Sequence, residues 1–183
     1  MRLFIAAPIS EEVRRGVAAL IEELRAAGAD YKWTGPENLH VTLAFLGETP
    51  ETELPNIEKA LRAAVAGQKP FDMVFSGLGA FSSLKNPRII WIGLSAGADS
   101  LIKLARALIQ SGIKPKEEKR EFSPHLTLGR MRSLKNLAGL KTELGKGFQG
   151  REWRCGVDRL ILYRSRPSPQ GSKYEELFEA SLK

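Results

Sequence analysis

The two histidines of this 183-residue chain lie in matching short frames. His40 begins the tetrapeptide HVTL, and His125 begins HLTL. Residues two apart on a β-strand point to the same face. We therefore expect each frame to present one imidazole and one hydroxyl, from Thr42 or Thr127, on one side, while its aliphatic residues anchor the strand in the core. If two such strands lie side by side, two imidazoles and two hydroxyls meet in one cleft.

Two histidines and two threonines favour general acid–base chemistry at a phosphate. One neutral imidazole can take a proton from the attacking oxygen while one imidazolium gives a proton to the leaving oxygen, and we expect both to titrate near neutral pH. Threonine hydroxyls can donate hydrogen bonds to phosphoryl oxygens as negative charge develops on them. Metal-free opening of a cyclic phosphodiester suits this set. The residues alone leave open which imidazole is the acid and which the base.

Other kinds of site fit the sequence less well. Two separated histidines without Cys or carboxylate neighbours fall short of the three protein ligands of catalytic zinc. No Gly-x-Ser-x-Gly element marks a serine hydrolase. The single Cys155 excludes an intrachain disulfide and is expected to be an inert core thiol. We expect neither a metal nor another cofactor. The alternative class is a non-catalytic RNA- or nucleotide-binding module, in which the histidines only hold a phosphate.

Positive charge is concentrated in one third of the chain. The formal net charge is +7, and the segment 114–166 holds 14 basic and 6 acidic residues. Such a patch favours a polyanion, nucleic acid first, although a basic face kept for solubility is the alternative. Within it, KPKEEKRE at 114–121 is expected to be a charged loop that could guide RNA toward His125. No apolar run reaches the roughly 18–20 residues that span a bilayer, and the N-terminus does not fit a signal peptide. We expect a cytoplasmic monomer.

Helical and strand patterns alternate along the chain, but several strands follow one another directly. This order predicts an α+β fold with mainly antiparallel pairing. Each half holds one His-x-Thr strand, which suggests two similar lobes. The predicted strands cover 2–7, 31–34, 39–46, 71–81, 88–94, 125–131, a stretch near 148–155, 158–165 and 174–182. The predicted helices run from an N-cap at Ser10 to Gly28, from about Pro55, from Asp99 or Ser100 to about Gln110, and over 134–144.

Several stretches together carry a resemblance to a known family. They are RLFIAAPIS, KWTGPENLHVTLAFLGE, PRIIWIGL, FSPHLTLGR and LILYRSRPSPQGSKYEEL. The chain resembles the two-histidine (2H) phosphoesterases, whose signature is a pair of His-x-Thr-x motifs, and within them the RNA 2′,3′-cyclic phosphodiesterase branch, also called 2′–5′ RNA ligase. It departs from that pattern at Thr34-Gly35 and at Phe81-Ser82, which puts the shape of two loops in question.

The resemblance implies a single bilobal domain over residues 1–183, with helices outside and the active site between two pseudo-symmetric lobes. It implies hydrolysis of RNA 2′,3′-cyclic phosphate ends to 2′-phosphates without a metal or nucleotide cofactor, and 2′–5′ ligation as the reverse reaction. By resemblance His40 is the proton donor and His125 the proton acceptor. The implied partner is RNA with cyclic or 2′–5′-linked ends, tRNA included.

Two further residues are candidates for substrate binding. Arg130 and Phe45 each lie five positions after a motif histidine. The resemblance marks Arg130 as a phosphate or base contact, and Phe45 could stack on a base, with a core position as its alternative. By simple alternation both face away from the site, so a turn or bulge after Leu-Gly must redirect Arg130. Tyr163 is expected to close a strand rather than line the cleft, and Trp91 is expected to be a packing residue.

Overall fold

The computed structural model describes residues 1–116, 122–146, 150–169 and 171–183. Within these ranges lie nine strands and four α-helices. The strands are β1 (Arg2–Pro8), β2 (Tyr31–Trp33), β3 (His40–Glu48), β4 (Phe71–Ser83), β5 (Asn86–Ala96), β6 (Leu126–Met131), β7 (Glu152–Val157), β8 (Arg159–Ser168) and β9 (Gly171–Ser181). The helices are α1 (Glu11–Arg25), α2 (Leu54–Val65), α3 (Ala98–Gln110) and α4 (Leu137–Gly145).

The strands form two antiparallel sheets. The first sheet has the order β3-β1-β8-β9, and the second sheet has the order β2-β6-β5-β4-β7. The predicted α+β class and its two-lobed, antiparallel architecture are confirmed. The lobes do not coincide with the two halves of the chain, because the chain crosses between the sheets several times. Strands from both ends of the chain build the first sheet, and the middle of the chain supplies most of the second.

Helix α1 forms where capping and apolar spacing agree. The Ser10 hydroxyl accepts a hydrogen bond from the Val13 backbone N–H at 3.3 Å, which satisfies one of the free donors of the first turn. Apolar residues at helical spacing form one buried stripe: Val13, Val17, Leu20, Ile21 and Leu24. After the helix, Gly28 adopts a positive φ of 73°, which favours glycine. The predicted cap and stripe are both confirmed.

Strand β1 is apolar on both faces because both faces are covered. Leu3 and Ile5 belong to the large core, which runs beneath the helices and includes residues of both sheets. Phe4 and Ala6 point the other way and form a smaller apolar cluster with Ile161 and Tyr163 of β8. Helix α2 packs against β8 and β9, and α1 packs against β2 and β7. The first sheet thus has helices on one face and an aromatic surface on the other.

The remaining differences lie at the ends of elements. The β4–β5 hairpin is longer than expected because its pairing continues to Ser83 opposite Asn86. Helix α4 begins at Leu137, three residues later than predicted. Residues 147–149, in the stretch predicted as a strand, and 117–121, in the predicted charged loop, lie outside the described residues. In the part of the chain described here, no helix is both long and apolar enough to cross a membrane.

Candidate active site

A β-bulge in each motif strand determines which side chains share a face. In β3, Thr42 lies opposite Ala6 and Ala44 lies opposite Ile5, so Leu43 has no partner across the ladder. In β6, Thr127 lies opposite Trp91 and Gly129 opposite Ile90, and Leu128 is left out in the same way. An extra residue reverses the alternation of the strand beyond it. Each strand thus has a bulge at the Leu of its His-x-Thr-Leu frame, and in β6 this lies before the position after Leu-Gly that was expected for Arg130; β3 has a second register shift, at Leu46.

The bulges bring Phe45 and Arg130 to the faces that carry the motif threonines. Phe45 lies opposite Phe4 and packs against the small apolar cluster and not in the main core. It therefore lies on the face of the first sheet that the helices leave uncovered, which we call the inner face. Arg130 lies opposite Ile89 and is exposed. The two residues occupy equivalent positions in the two lobes. One position holds an aromatic ring and the other holds a cation.

Each histidine has its Nδ1 atom fixed by the backbone carbonyl two residues earlier. The distance is 2.7 Å from His40 Nδ1 to the Asn38 oxygen, and 2.7 Å from His125 Nδ1 to the Ser123 oxygen. A carbonyl oxygen only accepts, so Nδ1 carries the proton and Nε2 is the nitrogen left for chemistry. In the first lobe the Thr42 hydroxyl lies 3.0 Å from His40 Nε2 and donates to it while the ring is neutral. His40 and Thr42 thus form one hydrogen-bonded unit.

The aliphatic residues of both frames are buried, as predicted: Val41, Leu43, Leu126 and Leu128. They anchor the two strands in the core, while the imidazoles on the opposite side remain partly accessible. Thr127 is also partly accessible, on the face that Trp91 shares. Each frame therefore presents its polar residues on the side away from the main core.

Aromatic rings that the motifs do not include pack around each imidazole. The Phe4 ring stacks on His40 at 4.8 Å between centroids, and Tyr174 meets His40 edge-on at 5.3 Å. Tyr163 also stacks on Phe4, and its ring centroid lies 6.2 Å from that of His40, so it belongs to the floor of the site instead of only closing a strand. In the second lobe, Phe81 meets His125 edge-on at 5.1 Å. The sequence contained one signal for these rings, namely aromatic residues inside predicted strands, but it did not show that those strands lie beside the two motif strands.

Two tryptophans also lie near the second motif. The Trp91 ring centroid is 6.1 Å from that of His125, so Trp91 packs beside the site and not in a remote core. Gly79 makes room for it, since a Cβ at that position would overlap the indole ring. Trp33 stacks on Tyr31 and packs against Gly129. Cys155 is buried, as expected for a core thiol, and its sulfur accepts a hydrogen bond from the Ser10 N–H at 3.0 Å.

Burial lowers the pKa of both histidines, and for His40 this corrects the expectation of titration near neutral pH. It lowers the pKa of His40 to about 4, against a rise from the Asn38 hydrogen bond. It also lowers the pKa of His125; the Ser123 hydrogen bond opposes this effect, and the positive charge of Arg130 adds to it. The protein without substrate therefore holds two neutral imidazoles at pH 7.

Arg130 acts on both lobes. Its charge contributes to the lowered pKa of His125 in the second lobe. Burial raises the pKa of Tyr174 in the first lobe, and the Arg130 charge opposes that rise. The Arg130 guanidinium is thus within electrostatic range of His125 in the second lobe and of Tyr174 in the first. Across residues 1–116, 122–146, 150–169 and 171–183, no three His, Cys, Asp or Glu side chains are grouped so that they could hold a metal ion.

Comparison with known proteins yields similar chains in sequence and in structure. The model of the family described as LigT like phosphoesterase matches residues 7–91. A Thermotoga maritima protein named RNA 2′,3′-cyclic phosphodiesterase is 32% identical, over 100% of this chain and 96% of its own. A Methanothermobacter thermautotrophicus protein of the same name is 30% identical, over 97% of this chain and 96% of its own.

Solved structures extend the similarity to the fold. The structure of TT0787 from Thermus thermophilus has a TM-score of 0.82 and 27% identity, and the match covers 100% of this chain and 98% of that one. Escherichia coli LigT in complex with 3′-AMP has a TM-score of 0.76 and 25% identity, with 99% of this chain and 97% of that one covered. These proteins share the two-lobed arrangement over their whole length.

Proposed function

Because the chain belongs to the LigT-like phosphoesterase family, we propose that it hydrolyses RNA 2′,3′-cyclic phosphate ends to 2′-phosphates by paired-histidine catalysis. The observation that carries this proposal is that the two imidazoles hold the same tautomer. Each has Nδ1 held by the carbonyl two residues earlier and keeps Nε2 for the substrate. A site that only bound phosphate would gain nothing from two fixed neutral tautomers, since Lys or Arg serves that purpose better.

In the proposed reaction His125 Nε2 takes a proton from water as the water oxygen attacks phosphorus. The bond between phosphorus and the 3′ oxygen breaks, and protonated His40 delivers its Nε2 proton to that oxygen. The product carries a 2′-phosphate and a free 3′-hydroxyl, and one water has been added. Negative charge that develops on the phosphoryl oxygens is stabilised by hydrogen bonds from Thr42 and Thr127. Joining of ends through a 2′–5′ linkage uses the same groups in reverse.

The acid role of His40 requires a proton that the free site disfavours. Burial lowers the pKa of His40 to about 4. A bound cyclic phosphate places a negative charge next to the imidazole, and an opposite charge within about 4–6 Å raises the pKa of a histidine. In the proposal the substrate therefore helps to protonate its own acid. His125 is neutral before substrate binds, as a base must be.

Arg130 and Phe45 are the proposed substrate-binding residues beside this centre. Arg130 is exposed between the lobes and supplies planar donors for a phosphate or a base edge. Phe45 lies on the inner face of the first sheet, with the Arg2 guanidinium 5.1 Å from its ring centroid. A ring in that position offers a stacking surface for a nucleobase. E. coli LigT has been solved with nucleotides and with phosphate, which supports a site of this kind.

The first test is phosphorus NMR of a short RNA that ends in a 2′,3′-cyclic phosphate, with protein and excess EDTA. We expect conversion to the 2′-monophosphate, lost in His40→Ala and in His125→Ala. A 3′-monophosphate product would retain the acid–base pair and reject the assigned leaving oxygen. No conversion, with RNA still bound, would identify the non-catalytic binding module instead. Loss of activity in EDTA that is restored by a divalent cation would contradict the metal-free reaction.

A further inference from the structure

One row of side chains crosses the inner face of the second sheet beside His125. Phe81 of β4 lies opposite Ile89 of β5, and Ile89 lies opposite Arg130 of β6. Arg130 in turn lies opposite Lys32 of β2. Residues directly opposite on antiparallel strands point to the same face. Because Phe81 contacts His125, the whole row lies on the face of the candidate site, with Lys32 at its outer end.

Lys32 and Arg130 form a pair of like charges at a position where a sheet disfavours it. Directly opposite Cβ atoms lie about 4.5–5.5 Å apart, and like charges there are destabilising. Among the described residues neither side chain forms an ion pair with a carboxylate. Arg154, Arg159 and Arg166, from the same basic third of the chain, all do. Two cations without carboxylate partners, side by side on the face of the candidate site, favour an anion there.

The chemistry of the substrate limits what that anion is. An RNA that ends in a 2′,3′-cyclic phosphate continues only in the 5′ direction, so its next phosphate lies on the 5′ side of the terminal nucleoside. The step from Thr127 to Arg130 corresponds to two pairs on β5, about 7 Å along the strand, and β2 lies about 4.8 Å further across. This places Lys32 about one nucleotide away from the reacting phosphate.

We propose that Lys32, together with Arg130, binds the phosphodiester on the 5′ side of the terminal nucleotide and so makes the enzyme prefer oligoribonucleotide ends over mononucleoside cyclic phosphates. This inference rests on the proposed function and adds a specificity-determining residue to it. The lysine ammonium acts as a point charge toward one non-bridging oxygen. A mononucleoside cyclic phosphate has no group to place there.

The experiment compares two substrates that differ by one phosphodiester. They are adenosine 2′,3′-cyclic phosphate and the dinucleotide CpA with a 2′,3′-cyclic phosphate, and the quantity measured is the ratio of their kcat/KM values. In Lys32→Gln we expect the preference for the dinucleotide to fall about fivefold, the effect of one exposed charge contact. For the dinucleotide, the slope of log(kcat/KM) against log salt should become shallower, because one screened charge contact is lost. Lys32→Arg should keep most of the preference.

The matched control is Lys103→Gln, which removes one exposed lysine from the outer helix α3. It should leave both the ratio and the salt slope at their wild-type values. An unchanged ratio in Lys32→Gln, or an equal fall in Lys103→Gln, would overturn the inference. Failure of the wild-type protein to hydrolyse either substrate would reject the proposed function and this inference with it. That result is distinct, because it is seen before any variant is made.

Discussion

The two imidazoles hold the same tautomer but lie in different surroundings. His40 is enclosed by Phe4 and Tyr174, and its Nε2 is already hydrogen-bonded to Thr42. His125 meets Phe81 and lies near the charge of Arg130. Different surroundings give two chemically identical imidazoles different pKa values. A cleft built from two similar lobes can therefore assign two different tasks to its histidines.

The lowered pKa values predict the pH dependence of kcat/KM. The reactive form of the free enzyme carries one proton on the histidine pair, and burial holds both histidine pKa values below the ordinary 6.5, with that of His40 at about 4. Above pH 6.5 both histidines are mostly neutral and the singly protonated fraction falls about tenfold per pH unit, so log(kcat/KM) should fall by about one per pH unit. The measurement is kcat/KM for adenosine 2′,3′-cyclic phosphate from pH 4.5 to 9. A plateau that extends to pH 8 would contradict the low pKa values.

At the scale of the elements, the bulges in β3 and β6 determine what each motif can reach. Without the unpaired Leu43 and Leu128, Phe45 and Arg130 would point into the main core. The bulged residues are leucines that the core holds, with 6% and 0% exposure. The register shift is thus stabilised by burial of the extra side chain.

Gly79 gives a test of how the second sheet supports its histidine. An Ala Cβ would overlap the indole of Trp91, which packs beside His125. We expect Gly79→Ala to lower kcat at least tenfold and to cost about 1–3 kcal/mol of stability through overpacking. Kinetics and thermal unfolding measure the two effects. In the control, Gly145→Ala, the new Cβ has no other atom within 4 Å. Wild-type kcat in folded Gly79→Ala would mean that the position of Trp91 does not matter for His125.

The sequence predicted local features well because local forces determine them. The Ser10 cap, the apolar stripe of α1 and the shared face of His40 and Thr42 depend on residues only a few positions apart. The bulge positions depend on distant partners, Ala6 for β3 and Trp91 for β6, and sequence periodicity does not show those partners. The pairing of Lys32 with Arg130 was missed for the same reason, since register across a sheet is set by the whole fold.

At the scale of the whole molecule, folding redistributes the charge that the sequence concentrates. Arg151 pairs with Glu23 of α1, and Arg154 pairs with Asp72 of β4. Carboxylates outside residues 114–166 thus neutralise part of the positive charge of that segment. The candidate site keeps Arg130 and Lys32 without such partners among the described residues. Net charge along the chain indicated a polyanion, but only the fold shows which cations remain for it.

The two lobes should unfold together. Their helix-covered faces contribute to one continuous apolar core, and the chain passes repeatedly from one sheet to the other. We expect a single calorimetric transition whose van't Hoff and calorimetric enthalpies agree. Two resolved transitions would show that the lobes are separate folding units and would contradict the prediction of one domain over residues 1–183.

The central place of β1 in the first sheet has a consequence for synthesis on the ribosome. Residues 2–8 are made before every other strand of the two sheets, but their partner strand β8 spans residues 159–168, and the ring of Tyr174 follows later still. The strands beside His125, namely β4, β5 and β6, are all made before β8 and β9. The floor beneath His40 has to wait for them, because chains are made from the N-terminus onward. The surroundings of His40, the proposed acid, are therefore complete only after β8 and β9 have been made, and a chain that stops before β8 lacks both Tyr163 and Tyr174.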